Sequence, residues 1–400
     1  MHLRGVTHFP TFNNRNVKLY YLLTIFMNGW FILPNWVFYF GQYITIPKIG
    51  LIDGLSKLVA VFLEIPSGSL ADLIGKKHIL ILGNIFQALC CVVLMSATNF
   101  TWLLIGNIIT FIGFALISGA KEALLYDSLL DIHKEEHYDE VVGKVGSIAM
   151  FVTVLSIFIG GYLYGINPKL TFVAWLVFSL IAILILLFMK EPEADEKLVT
   201  YKEYMSKLKT GVHSIFSKPL IGFVLPVLFF SMLIKSYEGV IRQNTGAYFG
   251  FNGETFGYIF ALILIPTLLV SYNYSKIRNL FKSRVEYVFI LLYLVGFLIV
   301  YLTNNLAFGM VSFLSIYIAQ EIAKPYILGL VNRNTESKHR ATALSTVSLF
   351  SEFPYMIIVI FMGTLLDIPN IKYLYLGFVI ILIAYAVRRY IYKDHERGVR

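Results

Sequence analysis

The stretch LTFVAWLVFSLIAILILLFM, residues 170–189, is twenty residues long and contains no charged side chain. A second stretch, residues 79–97, runs for nineteen residues without a charge. About 20 consecutive apolar residues are enough for an α-helix to cross the hydrocarbon core of a bilayer. Each stretch is therefore predicted to cross a membrane as a single helix.

The whole chain has the composition of an integral membrane protein. Of its 400 residues, 58% are hydrophobic and 14% are charged, whereas soluble domains carry about 25% charged residues. The net charge of +9 is spread through short loops, so we expect a lipid bilayer and no nucleic acid as partner. The two cysteines, Cys90 and Cys91, are neighbours inside an apolar span and are interpreted as inert thiols, with no metal site.

Hydropathy predicts an all-α integral membrane fold with about twelve transmembrane helices in two pseudo-symmetric bundles. The first bundle, residues 1–189, contains helices at 18–43, 50–71, 77–98, 101–126, 144–165 and 170–189. A polar cytoplasmic linker, residues 190–218, follows it. The second bundle, residues 219–400, ends in a basic tail and contains helices at 219–240, 254–275, 285–303, 306–330, 341–365 and 371–389. Six helices on each side of a linker indicate a repeat of two related bundles.

The distribution of Lys and Arg over the loops gives the orientation. Of the 33 basic residues, 25 fall in the two termini, the linker and the loops on one side of the predicted membrane, and four fall on the other side. Positive loops face the cytoplasm. Both termini are therefore predicted to be cytoplasmic, which agrees with an even number of helices.

A short polar segment between the second and third predicted helices reads GSLADLIGKK, residues 68–77, and follows EIPS at residues 64–67. It contains a glycine, an aspartate, a second glycine and two lysines in that order. The segment resembles the signature that follows the second helix in the major facilitator superfamily, and it departs from it at Leu73, where an arginine is common. The segment lies between the second and third helices of a chain with six helices on each side of a linker. The resemblance in architecture covers about residues 17–390.

The resemblance implies a conformational latch at the cytoplasmic ends of the helices. In the superfamily the aspartate faces the N-terminus of helix 11, whose dipole favours a negative charge, and the basic residues pair with an acid at the end of helix 4. The latch stabilises the outward-open state and breaks as the bundles rock. The implied residues are Gly68, Asp72, Gly75, Lys76, Lys77, Asp127 and Arg340. A local turn with a capping aspartate is the alternative, and the matching loop, residues 275–279, has lost the aspartate and the glycines.

Polar and charged residues inside the predicted spans are the candidates for substrate contact. A charge at mid-bilayer costs about 2.5–3.5 kcal/mol and normally faces a partner or a water-filled cavity. In the superfamily, helices 1, 4, 7 and 10 line the central cavity. The resemblance therefore implies cavity roles for Asn28, Asn35, Lys235, Glu238, Arg242, Glu321 and Lys324. Local ion pairing is the alternative for the charged ones, because spacings of three and four place them on one helix face.

Carboxylates are expected to carry any coupled proton, because none of the eight histidines lies in the interior of a predicted span. Glu352 has no charged neighbour in its own helical turn, so desolvation favours its neutral form, either for proton transfer or as a simple hydrogen-bonded acid. Asp53 can pair with Lys57 one turn away. The candidate proton-coupling residues are Glu352, Glu238, Glu321, Glu64 and Asp53.

These features favour a secondary active transporter that works by alternating access and exports small amphiphilic compounds in exchange for protons, as in multidrug efflux. The paired glycines Gly160 and Gly161 resemble part of a motif of drug/proton antiporters, although the preceding Gly-Pro is absent. A proton-coupled uptake symporter for a polar or charged metabolite is the first alternative, and a non-transporting receptor or assembly factor the second.

No catalytic or nucleotide-binding motif is present in the sequence, so we expect neither an enzyme nor a cofactor. A small-molecule substrate and protons are the expected partners. A monomer in the cell membrane, the inner or plasma membrane of a bacterium or archaeon, is the expected state.

Overall fold

The computed structural model describes residues 14–192, 221–334, 340–361, 363–367 and 370–398. Within these ranges the chain forms α-helices joined by turns and short 3-10 segments, and no β-strand. Two compact units are present. The first takes in the described residues of 1–34 and 55–205, and the second those of 35–54 and 206–400.

The helices up to the linker are α1 (Arg15–Met27), α2 (Trp36–Phe40), α3 (Ile46–Ile74), α4 (Lys76–Met95), α5 (Phe100–Leu130), α6 (Tyr138–Ile166) and α7 (Lys169–Phe188). Those after it are α8 (Ile221–Ser236), α9 (Val240–Tyr248), α10 (Gly253–Tyr272), α11 (Tyr274–Phe281), α12 (Val285–Leu302), α13 (Leu306–Asn334), α14 (Arg340–Phe361) and α15 (Ile371–Gly398).

Eight of the described helices are long and apolar enough to cross a membrane, namely α4, α5, α6, α7, α10, α12, α13 and α15. The predicted all-α membrane fold is therefore confirmed. The count of twelve stays a prediction. Helix α3 is 29 residues long, but Asp53, Lys57, Glu64 and Asp72 interrupt its apolar character.

The prediction of single continuous helices at 18–43 and 219–240 is wrong. The first ends at Met27, and a short helix resumes at Trp36 after a series of turns. There the side chain of Asn28 donates to the carbonyl of Thr24 at 2.6 Å, and Pro34 has no N–H to continue a helix. The second ends at Ser236 and resumes as α9. The first helix of each predicted bundle is thus interrupted.

Smaller differences occur at other predicted boundaries. The helix predicted at 254–275 ends at Tyr272, and a separate helix, α11, follows it. Residues 35–54 pack with the second unit, whereas the sequence-based boundary placed them in the first bundle. Most of the linker lies outside the described residues. The three domain boundaries at 1–189, 190–218 and 219–400 remain a prediction.

Corresponding helix pairs approach each other closely in the two units. In the first unit, a Cβ on Gly113 would lie 3.0 Å from the carbonyl oxygen of Gly83, so α4 and α5 touch through their backbones. In the second, the hydroxyl of Ser312 donates to the carbonyl of Gly296 at 2.8 Å and joins α12 to α13. Small residues allow such approaches where lipid provides no hydrophobic drive between helices.

Candidate substrate and proton-coupling site

Tyr355 of α14 connects three segments of the second unit. Its buried hydroxyl donates to the carboxylate of Asp53 and accepts from the backbone N–H of Val240 at 3.2 Å. Val240 is the first residue of α9, whose N–H has no partner in its own helix. A Cβ on Gly239 would lie 2.1 Å from the same hydroxyl. The interruption between α8 and α9 therefore depends on a glycine and is capped by a tyrosine.

Lys235, at the end of α8, lies between two carboxylates. Its ammonium is 2.8 Å from Glu352 on α14 and 3.7 Å from Glu238. The side chains of all three are between 22% and 39% exposed, so they are accessible rather than sealed in the core. Glu352 has no charged neighbour in its own helical turn, but the ion pair with Lys235 reaches it from another helix.

Arg242 separates from this group, although sequence spacing placed it on one face with Lys235 and Glu238. The helix break turns it into the core of the second unit, where it is 5% exposed. Its guanidinium donates to the hydroxyl of Tyr317 at 3.2 Å and stacks over the ring of Phe260 at 4.6 Å. A guanidinium over an aromatic face in a dry site gains cation–π stabilisation.

Glu321 and Lys324 form an ion pair of 3.0 Å on α13, as their spacing allows. The charges of the seventh and eleventh predicted helices are thus joined through Lys235, while those of the tenth pair with each other.

In the first unit, part of the predicted latch comes together at the start of α4. The ammonium of Lys76 donates to the carboxylate of Asp127 at the end of α5. Gly75 has a φ of 95°, the left-handed region that glycine adopts without strain. Lys77 instead points to the carbonyl of Leu187 at 3.4 Å. The surroundings of Gly68 and the side chains of Asp72 and Arg340 lie outside the described residues.

The remaining candidates are dispersed. Asn28 belongs to the first unit and Asn35, which is buried, to the second. The side chain of Glu64 is exposed on α3, and its backbone carbonyl accepts from the hydroxyl of Ser67 at 2.9 Å. Glu64 is therefore more exposed than Glu352, Glu238 and Asp53.

Sequence reasoning missed two acidic residues that organise helix ends. Glu191 accepts from the backbone N–H groups of Lys76 at 2.6 Å and Lys77 at 3.0 Å, and so caps α4. Hydropathy places Glu191 in the predicted polar linker, residues 190–218. Glu286, 3% exposed at the start of α12, accepts from Tyr326 at 2.9 Å and from Tyr385. An acidic residue directly after a basic loop was its only signal.

Comparison with known proteins agrees with this architecture. The model of the Major Facilitator Superfamily matches residues 20–241. An uncharacterised transporter of Buchnera aphidicola subsp. Schizaphis graminum is 30% identical over 198 residues, which cover 48% of each chain. A class H tetracycline resistance protein of Pasteurella multocida is 27% identical over 175 residues, 44% of this chain and 42% of that protein. The chain thus aligns with about half the length of these curated relatives.

Among solved structures, the D323A mutant of the nucleoside transporter NupG has a similar fold. The match covers 93% of this chain and 98% of that chain, with a TM-score of 0.77 and 14% sequence identity. Identity this low shows a shared fold and no shared substrate.

Proposed function

The chain belongs to the Major Facilitator Superfamily and is a multi-pass secondary transporter, and we propose that it exports small amphiphilic compounds in exchange for protons. The group formed by Lys235, Glu238 and Glu352 carries this proposal. The tetracycline resistance protein among its relatives supports a drug-like cargo.

One lysine shared by two carboxylates has a net charge of −1 when both carboxylates are ionised. Protonation of Glu352 makes the group neutral and leaves Lys235 to pair with Glu238, 3.7 Å away. An unbalanced charge inside the bilayer costs about 2.5–3.5 kcal/mol. Each conformational change is therefore favoured only when either a proton or a cationic substrate group has balanced the charge.

Proton and substrate compete for the same negative charge in this scheme, and competition of this kind is the physical requirement of antiport. Entry of a proton on one side displaces the cationic substrate, and the substrate displaces the proton on the other. The partial exposure of the three side chains lets both ligands reach the group. Glu321 is assigned a supporting role, because it is already paired with Lys324.

Uptake of a polar metabolite with protons is the second candidate. Arg242 favours it, since a buried guanidinium between Tyr317 and Phe260 suits an anionic or hydrogen-bonding solute. This solute would bind together with the proton rather than against it.

The pair of Lys76 with Asp127 supports the cytoplasmic latch as part of the same transport cycle. We propose that Asp72 and Arg340 complete it, and that the transporter acts as a monomer in the plasma membrane.

The proposal is tested in inside-out vesicles with an acidic interior and a pH-sensitive dye inside. Lipophilic cations, tetracycline, nucleosides, sugars and amino acids are added in turn. Antiport predicts that one compound makes the interior more alkaline. A Glu352→Gln variant loses this response, whereas Glu254→Gln, which neutralises a carboxylate at the start of α10, keeps it.

Direction distinguishes the two candidates. In right-side-out vesicles with an acidic exterior, a symporter acidifies the interior when its solute is added outside, and an antiporter does not. Acidification by a nucleoside or a sugar would contradict export and support uptake through the Arg242 site.

A further inference from the structure

Helix α11, residues Tyr274–Phe281, lies between two membrane-spanning helices and contains no acidic residue. Within α11 and the 3-10 turn that follows, Lys276, Arg278, Lys282 and Arg284 are all exposed. No carboxylate lies within salt-bridge distance of these four side chains in the part of the chain that the structure describes. Four basic residues in a stretch this short are attracted to a membrane surface that contains anionic lipids.

Apolar side chains are exposed beside this charge. Leu280 is 76% exposed, and Tyr272, at the end of α10, is 87% exposed. Exposure of leucine side chains and tyrosine rings to water is unfavourable. The boundary between lipid headgroups and acyl chains accommodates these side chains, and also the apolar stems of lysine and arginine. The combination is that of a helix lying in a membrane interface.

The protein fixes α11 in place from one side. Tyr274 is partly buried, and burial raises the pKa of its hydroxyl, while the nearby Arg278 and Arg333 act in the opposite direction. Arg333 is exposed in the last turn of α13. The basic surface of α11 therefore continues onto the end of α13.

A basic segment of the first half is different. Lys134, in the turn after α5, lies 3.9 Å from Glu136, and Lys144 of α6 lies 3.0 Å from Glu140. Those lysines are paired with carboxylates of neighbouring residues, while the basic residues of α11 have no such pairing among the described residues. This contrast points to an external anion at α11.

We propose that α11 and the adjoining turn bind the phosphate headgroup of an anionic phospholipid on the basic side of the membrane. Lys276, Arg278, Lys282 and Arg284 contact the phosphate, and Leu280 and Tyr272 contact the upper acyl chains. Since α11 lies next to the end of α13, the lipid holds the start of α12 and the end of α13 against the interface.

The experiment uses the full chain, purified in detergent and mixed with equal amounts of phosphatidylglycerol and phosphatidylcholine, with retained lipids counted by native mass spectrometry. The wild type is expected to retain phosphatidylglycerol preferentially. Replacing all four basic residues with glutamine is expected to weaken that retention about six-hundredfold, at about fivefold for each charge. Because the four side chains are exposed, the thermal melting temperature should stay unchanged.

Two variants provide the controls. Lys134→Gln with Lys144→Gln removes charges that are already paired and should leave lipid retention as in the wild type. Leu280→Ser should weaken retention of both lipids without changing their ratio. Inorganic phosphate, which lacks acyl chains, should compete weakly. Equal retention of the two lipids, or an unchanged ratio in the glutamine variant, overturns the proposal, and full competition by phosphate would assign the site to a soluble anion instead.

Discussion

The two halves of the chain have residues of opposite charge in the first turn of their third long helix, and partners from other helices hold each of them. In the first unit, α4 begins with Lys76, which pairs with Asp127, and its first N–H groups are capped by Glu191. In the second, α12 begins beside an acid, Glu286, which is held by two tyrosines and by Arg389 at 3.4 Å.

The difference shows that what the two halves share is the location of the polar contact and the helices that it joins. Each contact links the third helix of its half to the fourth and the sixth. In the first half it does so through α5 and Glu191, three residues after α7, and in the second through α13 and α15. The two contacts join equivalent helices but use different side chains. For that reason the sequence motif at residues 68–77 identifies the first contact, and no such motif identifies the second.

Removing the acid of the second contact should have the largest effect on stability. Glu286→Gln leaves Arg389 and two tyrosine hydroxyls without their charged acceptor in a buried site. We expect a loss of about 2–4 kcal/mol in the free energy of unfolding, measured by thermal unfolding in detergent. Glu254→Gln serves as the control, and equal melting temperatures for the two variants would contradict this account.

The pair of Lys76 and Asp127 should contribute less, because both side chains are slightly exposed, at 14% and 11%. A double-mutant cycle with Lys76→Met and Asp127→Asn is expected to give a coupling energy of about 1–3 kcal/mol. If the two losses simply add, the residues do not act as a pair. Comparison with Glu286→Gln then tests which of the two contacts is stronger.

The cap on α4 should come next. Glu191→Gln keeps an oxygen acceptor for the N–H groups of Lys76 and Lys77 but loses the negative charge at the helix N-terminus. The expected cost is about 0.5–1 kcal/mol, and it should shrink in high salt. A loss that salt leaves unchanged would indicate a steric role for the side chain rather than an electrostatic one.

The exposed pair of Lys144 with Glu140 should have the smallest effect. Lys144→Gln is expected to leave the melting temperature in detergent as in the wild type, since surface ion pairs contribute little. A loss as large as that of Lys76→Met would show that burial is not what separates the contacts, and would undermine the comparison.

The sequence predicted the membrane fold well because lipid imposes a strong constraint on composition. Runs such as residues 170–189 leave no alternative to a spanning helix. The prediction from hydropathy failed at the first helix of each half. Pro34 and Gly239 interrupt apolar stretches there that hydropathy treats as continuous.

The sequence predicted which charged residues belong to the candidate site, but it did not predict how they are arranged across the helices. Spacing correctly paired Glu321 with Lys324 on one helix. It could not show that Lys235 reaches Glu352 on another helix, because such contacts depend on packing that hydropathy does not describe. Arg242 was misplaced because a three- and four-residue spacing assumes an unbroken helix.

The role of Glu352 as the proton carrier is the claim on which the functional account depends most. It is tested by comparing two activities of the Glu352→Gln variant in vesicles, with tetracycline or the first compound that the wild type moves. The account predicts that uptake driven by a pH gradient disappears, because the permanently neutral group neither takes up a proton nor attracts a cationic substrate, while downhill movement of the compound in its uncharged form persists without a pH gradient. Full gradient-driven uptake by Glu352→Gln would contradict the account and move the coupling site elsewhere in the chain.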